Sequence, residues 1–413
     1  MNIRVKGMSK IIAYLAPEIP ALSATFVSNE ILALQKKGLT VIPFSVIPPL
    51  VRSKTPQVEA LAQQVFYLYN QPIHQVLIRS LKVLIRLPTV YLVTLQLVFQ
   101  DIFKLGWKKI DSYKLLYQFL QGSQLAYWLT EQNCEHLHIH FAHTPTQIGM
   151  YGAKLAQIPF SFTAHANDLF ERGRLLKEKV DRSHFTIVIS EYNKQFLAQK
   201  NASIEKIKVV RCGVNTEHYP FFPPSNFNAN PIIGSLGRLV KKKGMDDLIT
   251  GISILEKRGF NCQLEIGGDG ELREQLEKLI QTSNLEGKVT WKGKLEHHEV
   301  FKWLKKIDLF VLACKPDQNG DQDGIPVVLM EAMMMGVPVI STELSGIPEL
   351  IQNGYSGELA LPNNPQSLAD AIQRYLTQGS IIEKTKNARE QVKIEFDEQV
   401  NIDRLIKLFQ EEA

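Results

Sequence analysis

Asp321–Glu349, DQDGIPVVLMEAMMMGVPVISTELSGIPE, is the stretch from which the architecture of this chain follows. An apolar run ending near Cys314 has the character of a strand, and a polar loop follows it. Gly324-Ile325-Pro326 then leads into a helix that runs to about Met335, and Pro338–Ser341 forms the next strand-like run. Strand, loop, helix and strand at this spacing make a parallel βαβ unit. Pro326 suits the first helical turn, where its missing N–H has no intrahelical partner to lose. Gly324 lets backbone approach a ligand closely. With Ile325 and Val327 beside them, these residues open a helix start with free N–H groups and a positive dipole end, which suits a phosphate. Glu331 follows Asp323 by eight residues and is flanked by Leu329, Met330, Ala332, Met333 and Met334. A buried carboxylate is costly without a partner, and the vicinal hydroxyls of a ribose or sugar ring are suitable partners. A merely solvated helix Glu fits such apolar flanks poorly.

The same alternation extends in both directions. Upstream, strand-like runs lie at Ile11–Ala16, Thr40–Val46, Leu137–Ala142, Phe160–His165, His184–Ser190 and Ile207–Val214. Pro220–Pro231 is rich in Pro and Asn and disfavours helix and strand alike, which marks a linker. The pattern then restarts at Ile232–Leu236, Cys262–Gly267, Val289–Trp291, Leu309–Ala313, Pro338–Ser341 and Glu358–Leu361. Two such blocks predict an α/β protein with two doubly wound parallel-sheet domains, 1–219 and 231–394. Ligands of such sheets bind at the carboxyl ends of the strands, so the cleft between two sheets is the expected site. Glu395–Glu412 has the apolar spacing of an amphipathic helix.

Composition narrows the function classes. The 413 residues are 45% hydrophobic and 22% charged, which excludes a disordered chain, a collagen-like repeat and a small disulfide scaffold. A net charge of +5 is too weak to argue nucleic-acid binding. The four cysteines, Cys134, Cys212, Cys262 and Cys314, form no CxxC pair, and they fit reduced thiols in a cytoplasmic protein. The N-terminal apolar run Ile11–Ala16 is shorter than the roughly 7–15 residues of a signal peptide's apolar region, so a first strand is the expected reading. No window reaches the roughly 18 consecutive apolar residues of a membrane-spanning helix.

Three further signals carry chemistry. Gly237–Gly244, GRLVKKKG, directly follows a strand, and Arg238 with Lys243 pairs a planar fork with a mobile point charge, as a diphosphate requires. His165, in Thr163–Asp168, stands at a strand's carboxyl end in the first domain, where it can bond a reacting sugar. His136, His138 and His140 alternate onto one strand face with His143 beyond; no carboxylate or cysteine set completes a ligand pattern, so a strand is expected and no metal site. Gly267–Gly270, GGDG, fits a tight turn or a nucleotide contact. The GxGxxG fingerprint is missing after Ile11–Ala16, which counts against an NAD enzyme.

These motifs together resemble the retaining family-4 glycosyltransferases of the GT-B fold, in particular bacterial enzymes of colanic acid and other exopolysaccharide assembly. GRL…KKG, DGIPVVLMEAMMMGVPV and SGIPEL match in the second half, and SATFVSNEILAL, HIHFA…IPFSFTAHANDLF, SEYN and VVRCGVN match in the first. The resemblance implies two Rossmann-like domains, an N-terminal acceptor domain and a C-terminal nucleotide-sugar domain, with the helix 395–413 crossing back to the first. It implies a metal-independent, cofactor-free transfer of a hexose, with retention, from a nucleoside-diphosphate sugar to a glycan or lipid-linked saccharide in cell-surface polysaccharide synthesis. Arg238 and Lys243 would then hold the donor diphosphate and neutralise the leaving group. Glu331 would hold the ribose hydroxyls, backbone near Ile325–Val328 the phosphate or sugar, and His165 the transferred sugar. The family places two glutamates eight residues apart; here Asp323 stands in for the first, and Cys314 for a frequent Ser. An inactive GT-B partner or scaffold subunit, to which Asp323 points, is the alternative. A nucleotide-sugar epimerase or a phosphorylase is a third, although no Lys is clearly placed for a pyridoxal cofactor.

Within a helical insertion at about 73–130, Ile73–Lys114 carries Arg79, Lys82, Arg86, Lys104, Lys108, Lys109 and Lys114 against only Asp101 and Asp111, interleaved with apolar and aromatic residues. That mixture suits an anionic membrane surface. A cytoplasmic protein, peripheral on the inner face of the plasma membrane, is the expected placement.

Overall fold

The computed structural model describes residues 10–21, 24–49, 56–223, 230–377 and 381–411. Positions 224–229 of the expected linker lie outside the described residues. The chain divides into two compact units. The first comprises Met1–Val188, Asn193–Val210 and Arg404–Ala413, and the second Ile189–Tyr192 and Arg211–Asp403.

Among the described residues of the first unit, seven strands form one parallel sheet: β1 (Ile11–Glu18), β2 (Thr40–Ile47), β3 (Phe66–Tyr67), β4 (His136–His140), β5 (Phe160–Ala164), β6 (Phe185–Val188) and β7 (Ile207–Val209). Their order is β3-β2-β1-β4-β5-β6-β7, with the strand order reversing between β1 and β4. The interior strands are covered on both faces. That is why β4, HLHIH, is wholly buried even though three of its five residues are histidines. Ser161 and Thr163 on the neighbouring β5 satisfy those rings, with His136 Nε2 2.7 Å from Ser161 Oγ and His138 Nε2 3.0 Å from Thr163 Oγ1. Phe409 completes the packing around His136, His138, Tyr14 and Phe185.

The second unit repeats the plan with β8 (Ile232–Leu236), β9 (Gln263–Gly267), β10 (Val289–Gly293), β11 (Leu309–Val311), β12 (Val339–Thr342) and β13 (Glu358–Ala360). The order is β10-β9-β8-β11-β12-β13, again all parallel. The fold class expected from the alternation is therefore the observed one. Differences lie at element ends. The two-residue edge strand β3 is too short to leave a periodic signal. The run expected to continue to Val214 stops at Val209, because from Arg211 the chain joins the second unit, where Val214 N–H bonds the Phe396 carbonyl at 2.9 Å. Residues 211–219, grouped with the first domain by sequence, thus lie in the second compact unit. The C-terminal helix expected over Glu395–Glu412 is observed as Glu398–Glu411, starting three residues late because a break at Phe396-Asp397 separates it from a preceding helix, Ile381–Glu395.

The insertion of the first unit consists of helices Ile73–Arg86, Pro88–Leu105 and Lys114–Glu131. Pro88 starts the second helix and the first two bend by 117°. Among the described residues no single helix is long and apolar enough to cross a membrane. The third helix packs closely on Thr144–Ala156 through Gly122, where a Cβ would come 2.9 Å from the Ile148 carbonyl oxygen. The insertion leaves Leu77, Ile78, Leu81, Ile85, Leu92, Phe103, Trp107 and Ile110 exposed, Ile85 at 72% and Ile110 at 86%.

Candidate active site

In the second unit the candidate side chains gather at the carboxyl ends of β8, β9 and β11. The loop Gly237–Gly244 leaves β8 and turns back against β11. Gly244 closes it with φ +62°, and a Cβ there would lie 1.7 Å from the Ala313 carbonyl oxygen, so only glycine fits. Gly268, with φ +115°, presses in the same way on the Gly237 carbonyl. The GGDG turn after β9 therefore braces the basic loop. Lys243 runs along Gly237, whose missing side chain leaves it room.

Two lysines of that loop meet the acidic loop after β11. Lys243 Nζ lies 2.7 Å from Asp323 Oδ2, and Lys242 Nζ lies 2.7 Å from Asp321 Oδ2 and 3.7 Å from Asp323 Oδ1. Burial alone would push the Asp323 carboxyl up, but Lys243 and Lys242 outweigh it and hold the group below its ordinary value of 3.8. Burial likewise works against the Lys243 charge, and Asp323 outweighs it and raises that pKa. Cys314 Sγ lies 3.4 Å from Asp323 Oδ2; burial, then Asp323, keeps its thiol protonated far above the usual range. Arg238 is exposed and its side chain makes no ion pair or hydrogen bond among the described residues.

The following helix runs over Val327–Met335, with Pro326 as its N-cap, one position earlier than expected. Gly324 and Ile325 lead into it, and Gly346 lets Ile325 pack closely, since a Cβ there would meet Ile325 at 2.8 Å. The Val327 and Val328 N–H groups precede the first possible intrahelical acceptor, while the Leu329 N–H donates to the Pro326 carbonyl at 3.1 Å. Six of the nine helix residues are buried, and Glu331 is the polar member, its side chain 12% exposed. Tyr219 Oη donates to Glu331 Oε1 at 3.1 Å, and His297 Nε2 lies 3.4 Å from the same oxygen. The hydrogen bond to Glu331 raises the His297 pKa against the effect of burial. Tyr219 in turn stacks on Phe301 with ring centroids 4.7 Å apart, and Arg389 donates to its carbonyl.

In the first unit, His165 follows β5 and is 8% exposed. Its ring lies between Phe26 and Phe141, at centroid distances of 4.8 and 4.6 Å. Burial, then His140 and His143, hold its pKa well below the usual imidazole value, so the ring is neutral. The His165 backbone N–H donates to the buried Asp168 Oδ1 at 2.9 Å. One group among the described residues has the spacing of metal ligands: Glu30, His138 and His140 offer atoms within 4.8 Å of one another. Both His138 nitrogens are already hydrogen-bonded, at 2.8 Å to Ser161 and 3.0 Å to Thr163. A cavity of about 510 Å³ in the same unit is lined by His143, Gln118, Lys114, Arg172 and Arg174 among others.

Of the residues singled out by sequence, Lys243, Asp323, Gly324, Ile325, Pro326, Val327 and Glu331 thus converge in the second unit with Arg238 at their edge, and His165 belongs to the first. The partners Lys242, Tyr219, His297 and Glu30 were not singled out by sequence, and His140, read there as one face of a strand, gains its contacts to Glu30 and His165 only in three dimensions. Lys242 had a signal in its basic run; Tyr219 and His297 had none.

The description "Glycosyl transferases group 1" fits residues 221–394, and "Glycosyltransferase Family 4" fits residues 100–218. Amylovoran biosynthesis glycosyltransferase AmsK of Erwinia amylovora is 33% identical over 254 residues, 60% of this chain and 62% of its own. Putative colanic acid biosynthesis glycosyltransferase WcaL of Escherichia coli K12 is 35% identical over 253 residues, 60% of this chain and 59% of its own. The chain thus spans about 60% of the length of these curated relatives. In fold it is similar to HepE of Anabaena, solved in complex with UDP, with a TM-score of 0.71 at 17% identity over 98% of this chain and 100% of that one. The apo form of the lipopolysaccharide outer core galactosyltransferase WaaB gives a TM-score of 0.71 at 16% identity, over 98% and 100%.

Proposed function

The chain belongs to the family-4 glycosyltransferases of the GT-B fold, and from that premise we propose that it transfers a hexose from a nucleoside-diphosphate sugar to a glycan or lipid-linked saccharide in exopolysaccharide synthesis. The observation that carries the reading is the Lys243–Asp323 pair beside the start of helix Val327–Met335, with Glu331 four residues into that helix. A diphosphate placed there meets Lys243, Arg238 and the first-turn N–H groups. Glu331 accepts from the ribose hydroxyls in place of Tyr219 and His297. In the transfer, the bond from the anomeric carbon to the diphosphate oxygen breaks and the acceptor oxygen bonds that carbon on the same face. The acceptor proton leaves on the departing diphosphate. Lys243 and Arg238 neutralise the charge that develops there, a role that needs no metal. His165 bonds the transferred sugar. The names of the relatives support a surface polysaccharide as product, and the UDP complex of HepE supports a uridine nucleotide as the first donor to try.

The same proposal places the enzyme on the inner face of the plasma membrane, docked through residues 73–114. Its support is the exposed apolar set Leu77, Ile85, Phe103 and Ile110 among Lys and Arg side chains.

The test is a thermal-shift panel in EDTA with UDP, GDP, ADP and dTDP. A nucleotide at about 100 times its dissociation constant adds roughly 2.7 kcal/mol of stability. One responding diphosphate is expected, followed by transfer from the matching nucleotide sugar. A folded protein that responds to none would be an inactive partner subunit instead.

A further inference from the structure

We propose that Glu30 and His140 are positioning residues that fix the tautomer and orientation of His165, so that it accepts a hydrogen bond from the transferred sugar. The inference rests on the reading of His165 given above.

The groups form one chain inside the first unit. Glu30 sits on helix Thr25–Lys36, and Tyr14 Oη donates to its Oε1 at 2.8 Å. His140 Nε2 lies 3.0 Å from the same oxygen, and His140 Nδ1 lies 3.4 Å from His165 Nε2. An ionised carboxylate only accepts, so His140 must donate to it through Nε2. A His140 ring that carries its one proton on Nε2 presents a lone pair at Nδ1. His165 Nε2 then has to donate to that lone pair, which leaves His165 Nδ1 without a proton, an acceptor for a sugar hydroxyl. A hydrogen bond to one ring nitrogen in this way selects the ring's tautomer and its orientation together. The surroundings hold the geometry. Phe26 and Phe141 flank the His165 ring, the His165 backbone N–H donates to Asp168 Oδ1, and the His165 backbone carbonyl accepts from Asn193 Nδ2 at 3.3 Å. Glu30 and His140 share a set with ligand spacing, so bound metal is the competing use of these atoms and belongs in the test.

Selective ¹⁵N labelling of the histidine rings reads the tautomers directly. Nε2–H signals for both His140 and His165 are expected in the intact protein. Glu30→Ala should lose the single tautomer at His165 and lower kcat by about 10- to 100-fold with the donor KM nearly unchanged, the scale of a displaced catalytic contact. Glu30→Gln, whose amide oxygen still accepts, should restore the tautomer and most of the turnover. Turnover is measured with the nucleotide sugar selected by the panel above. An Nδ1–H or charged His165 in the intact protein overturns the inference, and that reading stands even if Glu30→Ala fails to fold. One equivalent of bound transition metal that Glu30→Ala releases overturns it as well. His165→Ala separates the two levels. Full transfer there removes the role of His165 itself, whereas loss there with full transfer by Glu30→Ala overturns the positioning chain alone.

Discussion

Lys243 Nζ and Asp323 Oδ2 stand 2.7 Å apart with their side chains 15% and 14% exposed, so Asp323 neutralises the cation proposed to hold the donor diphosphate. A diphosphate must compete with Asp323 for that lysine.

Asp323→Asn should therefore bind the responding nucleoside diphosphate more tightly, by up to about tenfold, or about 1.4 kcal/mol. Lys243→Ala should lose binding and lower kcat by roughly 10²- to 10³-fold. Calorimetric titration of both variants decides this, and equal affinity of Asp323→Asn and the parent chain would remove the competition. The pair also has a pH signature. Asp323 is held below 3.8, so its contribution to stability is complete above that value and is lost as pH falls through the depressed pKa. Lys243 is raised above 10.5, so its contribution is complete below that value and is lost as pH rises through it. At neutral pH both are fully present.

Glu331→Ala should weaken nucleotide binding by about 10- to 100-fold, the scale of one or two hydrogen bonds to a charged group. The parent chain should distinguish a ribonucleoside from a 2′-deoxyribonucleoside diphosphate, and the variant should not. If both bind the two nucleotides equally, Glu331 does not hold the ribose.

Leu77→Glu, Ile85→Glu and Phe103→Glu change exposed positions. Each should leave the melting temperature within about 2 °C, since surface substitutions cost within about 0.5 kcal/mol, yet abolish co-sedimentation with phosphatidylglycerol vesicles at low salt. Binding by the parent chain should weaken as salt rises. Failure of the parent chain to sediment would end the membrane proposal.

Four histidines of the first unit are held uncharged. Burial lowers His136 to about 3 and His143 to about 4, and holds His138 and His165 well below the usual value of 6.5. Depressed folded-state values mean that this stability is complete above 6.5 and is lost as pH falls toward each folded value. Each group contributes a slope of about 1.4 kcal/mol per pH unit over its window. Melting temperature should drop steeply between pH 6.5 and 5, and His136→Gln should make the drop shallower. A flat profile would show that these rings titrate without unfolding the sheet.

The architecture was legible because parallel sheets covered on both faces leave short apolar runs separated by helical periods, as at Ile232–Leu236 and Leu309–Val311. The close turn read at Gly267–Gly270 is present, with Gly268 pressed on the Gly237 carbonyl, whereas the approach of Gly244 to Ala313 shows only in the structure. Part of the site was legible too, since Arg238 and Lys243 follow one strand directly and Glu331 interrupts an apolar helix. The edge strand Phe66–Tyr67 was not, because two residues have no period. The break at Phe396-Asp397 was hidden because apolar residues continue across it. It is set by Val214, whose N–H donates to the Phe396 carbonyl and whose carbonyl accepts from the Glu398 N–H.

By itself the sequence determined the two doubly wound sheets and placed a basic loop and an acidic helix start at strand ends, since both depend on residues within a few positions of one another. Tertiary structure alone decided that Asp323 quenches Lys243, that Tyr219 and His297 share Glu331, and that Glu30 reaches His140 from 110 residues away. The physical reason is desolvation. Burying these charged and polar groups obliges each to find a partner, and the packing of whole elements, not the local order of residues, determines which partner is within reach.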